Sequence, residues 1–235
     1  MQIRTKYEKK LQGIDIKLTQ MCIHVESAME KCVKLLAEKD FNIAIEVEKE
    51  RRLNLVPEIR KEKKRVSKLG RKTEQACMKL LVMEQPVAGD FRKISAIMKI
   101  IADLERIGEQ VWDITKLVHQ ADQIYIIHEL DNVSKMAVAA MQMVENCVQA
   151  CTGNDLELAR SLGTIDDKVD ALFKIIKSDI VALIKKDSNY AEHAIMLMMI
   201  TKYLERVGDH AENIGEWVEY AITGTHPKRM ASKTE

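Results

Sequence analysis

MKIIADLERIGEQVWDITKLV at Met98–Val118 and MMITKYLERVGDHAENIGEWV at Met198–Val218 are two versions of one segment, one hundred residues apart. Eight of the 21 aligned positions are identical, among them Leu104/Leu204, Glu105/Glu205, Arg106/Arg206 and Gly108/Gly208, and most others exchange like for like. Self-similarity at so long a period means two copies of a domain-sized unit, not a short-period solenoid. Apolar residues in both segments recur three and four places apart, the spacing of one helix face. The shared LERxG motif therefore sits on a long helix in each copy, and whatever it does is set up twice.

The rest of the chain agrees with helix. It has 235 residues, of which 46% are apolar and 31% charged, with three prolines, nine glycines and 4% aromatics. Met, Leu, Ile, Lys and Glu dominate, a balance that suits an all-α protein packed by aliphatic and Met side chains. No apolar run approaches the roughly 20 residues that span a bilayer, and MQIRTKYEKK at the start lacks the hydrophobic stretch of a signal peptide, which points to a cytoplasmic protein. Five cysteines (Cys22, Cys32, Cys77, Cys147, Cys151) without a Cys-x-x-Cys pattern fall at helical apolar positions. They are expected to be reduced core residues, although Cys147 and Cys151 share a helix face.

Breaks in the apolar period fall at short polar clusters and place six helices. The first runs over about 4–38. The second starts after Lys39-Asp40, with Asp40 as cap, and reaches about 83, with Pro57 and Gly70 able to kink or divide it. The third covers about 86–119. In the second copy, helices over about 122–151, 155–186 and 190–222 follow the same plan, with Gly153-Asn154-Asp155 as the matching turn and Gly224 and Pro227 as the stop. The expected architecture is two tandem antiparallel three-helix bundles, repeat 1 over 1–120 and repeat 2 over 121–224, with a flexible tail at 225–235. From Asp40 to Glu105 is 65 residues but from Asp155 to Glu205 only 50, so repeat 1 holds about fifteen extra residues, expected around Pro57.

Residues four apart on a helix lie on one face. Glu105, Glu109 and Asp113 form a three-carboxylate ladder, and Glu205, Asp209 and Asn213 form its counterpart with a neutral end. Like charges at that spacing repel, so each ladder calls for a cation, either an Arg or Lys from a neighbouring helix or a bound metal. Asp166 and Asp170, with Asp167 adjacent, form another such pair on the preceding helix. Two pairs facing each other would offer hard oxygen ligands suited to Mg²⁺, Mn²⁺, Ca²⁺ or iron. The six histidines are scattered, and none completes the Glu-x-x-His pattern of ferritin-like di-iron sites. His210 points about 100° from Asp209, to solvent or an interface.

LERIGE at Leu104 and LERVGD at Leu204, with QPVAGDFR at Gln85 and NIGEWVEYAITG at Asn213, resemble the PhoU family of phosphate-specific transport accessory proteins. The resemblance spans Tyr7 to Gly224. It implies two three-helix bundles, a homodimer, and carboxylate sites for a divalent or trivalent ion (Mg, Mn, Fe or Zn). It further implies a regulator of phosphate homeostasis that restrains the phosphate-starvation response by binding the phosphate transporter's ATPase and a sensor histidine kinase. Asp166 and Asp170 match one family motif, Glu205 and Asp209 the other. In repeat 1, Glu109 replaces the usual Asp, and counting from Asp40 puts Arg51 where an acid is expected. Glu46 with Glu50, or Glu58 with Glu62, offers the same four-residue spacing.

No glycine-rich phosphate loop, nucleophile elbow or Cys-His pairing supports an enzyme. The alternatives are a metal-dependent enzyme using the acidic clusters or an adaptor with another partner. Net charge is +1, but Arg51–Lys72 carries ten Lys or Arg against two Glu. That stretch is either a solvated helix face or a docking face for an acidic partner, anionic lipid or nucleic acid. With no aromatic residue there, base stacking is not available, and nucleic acid is not an expected partner.

Overall fold

A computed structural model describes residues 2–37, 45–120 and 131–225. Among the described residues there are six α-helices, one 3-10 turn and no strand. They are α1 (Gln2–Ala37), α2 (Ile45–Glu84), α3 (Ala88–Gln120), α4 (Asp131–Gly153), α5 (Leu156–Lys186) and α6 (Ala191–Thr223), with the 3-10 turn Ser188–Tyr190 before α6. The expected all-α architecture is present, with helix ends within a few residues of their expected places wherever both lie in described residues. The Asp40 cap, the segment 122–130 and the tail from 226 fall outside the described residues. Pro57 does not divide α2. It sits on the exposed face, where the hydrogen bond it deletes leaves a carbonyl to water.

Local chemistry explains the turns. The Asp155 side chain accepts a hydrogen bond from the Leu158 amide (3.0 Å) and caps α5. Asn154 before it adopts φ 51°, a conformation asparagine tolerates better than most residues. Gly224 ends α6 at φ 80°, its amide bonded to the Tyr220 carbonyl, and a Cβ there would lie 2.4 Å from Arg92 Nη1.

Helices α1, α2 and α3 pack together, as do α4, α5 and α6, and the two sets meet along α1 against α4 and α3 against α6. A single apolar core runs through both repeats, including Met21, Met29 and Leu36 from α1, Ile59 from α2, Leu104, Ile107 and Ile114 from α3, and Met136 and Met143 from α4. All five cysteines are free; Cys22, Cys32, Cys77 and Cys147 are buried and Cys151 is partly covered.

Candidate functional site

In repeat 2 the expected acids lie on α5 and α6, which pack against each other. Asp166 is buried, only 4% exposed, and its Oδ1 lies 3.3 Å from where a Cβ on Gly208 would sit. The glycine lets α6 approach the carboxyl without a clash. Glu205 is turned to the Lys202 ammonium one turn earlier. Loss of water around Asp209, then the negative charges of Glu205 and Asp170, hold its carboxyl above the usual range in spite of Lys202. Asp209 therefore sits within the fields of both, and the cluster demands positive charge. Among the described residues no three His, Cys, Asp or Glu side chains converge as the ligands of one ion do; Lys202 holds Glu205 instead. The donor set of four carboxylates on two facing helices nonetheless has the chemistry of a hard-cation site.

Repeat 1 differs on the opposing helix. The nearest side chain to a Cβ on Gly108 is Val66, with Cγ1 at 3.7 Å, and a Cβ on Gly70 would lie 2.6 Å from Glu105 Oε1. Val66 and Gly70 stand one hundred residues before Asp166 and Asp170, as Glu105 does before Glu205. An apolar residue and a glycine thus occupy the positions of the two aspartates, and the extra residues of repeat 1 lie N-terminal to Val66. Counting from Asp40 to Arg51 missed this because the surplus falls between Asp40 and Val66. Burial, then Glu109 and Glu74, push the Glu105 carboxyl up, while Arg71 and Lys63 of α2 pull it down. Glu109 pairs with Arg106 (2.8 Å) and Asp113 with Lys116 (2.6 Å). The ladder is neutralised by basic side chains.

The acid pair Glu58 and Glu62 on α2 does not complete this site. Glu62 turns to α1, where His24 Nδ1 lies 2.7 Å from its Oε2, and Arg65 donates to Oε1 (3.1 Å). Burial raises that carboxyl, but the hydrogen bonds of His24 and Arg65 outweigh it and hold it below the usual range. Glu58 is exposed and lies 3.9 Å from Lys31. The side chains of Glu46, Glu50 and Arg51 fall outside the described residues. Most of the basic residues from Arg60 to Lys72 are solvent-exposed.

A third feature escaped sequence reasoning. Arg92 Nε donates to the Ala221 carbonyl (3.2 Å) and His210 Nδ1 lies 2.9 Å from Asp103 Oδ1, so α3 and α6 run antiparallel. Where they cross, a cavity of about 470 Å³ is lined by Arg106, Gln110, Arg206, Asp209, His210, Glu212 and Asn213. Gln110 is 7% exposed, and its buried Oε1 has no hydrogen-bond partner among the described residues. The identity of Arg106 and Arg206 between copies was the available signal. His210 occupies an interface position, as expected.

Two copies of a three-helix unit on one core, with a carboxylate pair at the same turn of α3 and α6, define a tandem helical-bundle protein. Residues 18–118 and 133–218 match the family model described as the PhoU domain, and the chain belongs to the PhoU family. It is 31% identical over 188 residues to a phosphate-specific transport system accessory protein PhoU homolog of Deinococcus radiodurans, covering 80% of this chain and 88% of that one. A homolog of the same description from Clostridium acetobutylicum is 27% identical over 222 residues, covering 94% and 96%. Among solved structures, PhoU from Pseudomonas aeruginosa superposes with TM-score 0.79 at 25% identity, over 93% of this chain and 100% of that one. The phosphate transport system regulatory protein PhoU from Streptococcus pneumoniae, at TM-score 0.77 and 21% identity, shares the fold.

Proposed function

We propose that this protein is a cytoplasmic, non-enzymatic regulator of phosphate uptake and phosphate-starvation signalling. It acts as a homodimer that binds the ATPase of a phosphate transporter and a sensor histidine kinase, and it meets the membrane only through those partners. The observation that carries this reading is the family match over both repeats, joined by relatives named as accessory proteins of phosphate transport. No helix among the described residues is long and apolar enough to cross a membrane. Docking of other proteins is supported by Val82, Met83, Val87 and Phe91, all more than half exposed around the turn from α2 to α3.

The reading includes a metal on repeat 2, held by Asp166, Asp170, Glu205 and Asp209. A bound ion would supply the charge that neutralises this cluster. Asp166 and Asp170 from α5 and Glu205 and Asp209 from α6 would hold it, Glu205 exchanging its present contact with Lys202 for the ion.

Deleting the gene tests the regulatory role: phosphate-starvation genes should be expressed in phosphate-rich medium, and the purified full-length chain should capture the organism's own transporter ATPase. Unchanged expression together with no capture overturns the reading.

A further inference from the structure

We propose that the cavity where α3 crosses α6 binds inorganic phosphate in a protonated form, gripped between Arg106 and Arg206. The choice of phosphate rests on the proposed regulatory role; the site itself rests on geometry.

The antiparallel crossing brings the same residue of each LERxG motif to one cavity of about 470 Å³, which the two exposed arginines line. Like charges brought to one cavity repel, and an anion between them turns that repulsion into attraction. Among the described residues Arg106 is held only by Glu109, an exposed pair three residues apart of the kind that contributes little. Arg206 makes no ion pair or hydrogen bond among the described residues. Planar guanidinium forks match the oxygens of a tetrahedral oxyanion two at a time.

The other lining groups select among oxyanions. Gln110 Oε1 is a buried acceptor lacking a donor, and such a group costs free energy until it is satisfied. Asp209 adds a carboxylate acceptor at the same cavity. The Glu212 carboxylate leans toward α5, its Oε1 3.2 Å from where a Cβ on Gly163 would lie. With Nδ1 of His210 engaged by Asp103, the ring is fixed at the cavity wall. A ligand here needs negative oxygens for the arginines and a hydroxyl hydrogen for Gln110 or Asp209. Hydrogen phosphate and dihydrogen phosphate have both. Sulfate, with no proton near neutral pH, meets Gln110 and Asp209 with acceptor against acceptor.

Calorimetric titration of the phosphate-free full-length protein with inorganic phosphate, sulfate and glycerol 3-phosphate tests this. The expected result is saturable binding of one phosphate per chain, with sulfate weaker by about tenfold or more, the loss of one good hydrogen bond. Arg206→Gln should weaken phosphate binding about tenfold and Gln110→Leu several-fold, while Arg160→Gln, outside the cavity and paired with Glu219 farther along α6, leaves it unchanged. Helicity is checked for each variant. If Arg206→Gln misfolds, Arg206→Lys decides, because it keeps the charge and should still weaken binding by losing the fork. Absence of saturable phosphate binding up to about 10 mM overturns the proposal, as does equal affinity for sulfate or indifference to both Arg206 substitutions. Equal binding of glycerol 3-phosphate reassigns the cavity to phosphate esters and overturns the inorganic ligand. Gene expression and ATPase capture are read separately, so a failure here leaves the regulatory reading standing.

Discussion

At the same turn of the same helix, repeat 2 faces Glu205 and Asp209 with two aspartates and repeat 1 faces Glu105 and Glu109 with a valine and a glycine. The difference lies on α2 and α5, not on the helices that carry the shared motif. Val66 packs against the Gly108 position at ordinary contact distance and adds to the core. Asp166, in the equivalent place, is a buried carboxyl beside Gly208, and burying such a group costs free energy unless it is compensated. A charged ladder can thus stand without opposing carboxylates, provided basic neighbours compensate it. Arg106, Lys116, Lys63 and Arg71 do so here.

The largest test of this contrast is metal titration. Glu205→Ala/Asp209→Ala should reduce bound Mn²⁺ or iron to background, whereas Glu105→Ala/Glu109→Ala should leave stoichiometry unchanged. Val66→Asp/Gly70→Asp should add a second, weaker site, since it restores two carboxylates opposite Glu105. Elemental analysis after gel filtration reads all three. Equal loss in both alanine variants would show that the repeats are not different in the way argued, and no binding by wild type would leave the cluster electrostatic only.

A smaller effect compares helix contacts. A Cβ on Gly215 would lie 2.8 Å from the Ala159 carbonyl oxygen and 2.6 Å from Leu162 Cδ1, while the corresponding Thr115 of repeat 1 is accommodated and bonds the Val111 carbonyl. Gly215→Ala should therefore cost about 1–3 kcal/mol through backbone displacement. Gly108→Ala, with only Val66 at ordinary contact distance, should be neutral or stabilise by up to about 1 kcal/mol through helix propensity. Urea midpoints separate these outcomes, and a stabilising Gly215→Ala would refute the close approach of α5 and α6.

The smallest effect is a pH dependence. The Asp209 carboxyl is raised in the folded protein, so the native state holds its proton more tightly than the unfolded chain does. Its stabilising contribution is present at low pH and is lost as pH rises through the raised value. Asp209→Asn should make the metal-free protein more stable than wild type at pH 7, by no more than about 1 kcal/mol given the residue's exposure. The gap should close as the pH falls below the ordinary aspartate range. A gap that widens on acidification would contradict the raised carboxyl. At repeat 1, Glu62 is lowered and behaves oppositely, its contribution being lost on acidification.

Helix class, repeat number and the carboxylate ladders were legible in the sequence because each depends on spacing within one helix, and 3.6-residue periodicity is a local property. The family was legible through LERIGE and LERVGD for the same reason. Three things needed tertiary structure. Val66 and Gly70 as the residues facing Glu105 depend on the register of α2 against α3, which the surplus residues before Val66 hide from counting. The engagement of Glu62 with His24 depends on which neighbour that face of α2 meets. The placing of Arg106 and Arg206 on one cavity depends on α3 crossing α6 antiparallel. Periodicity states which residues share a face, but packing alone decides what that face is packed against.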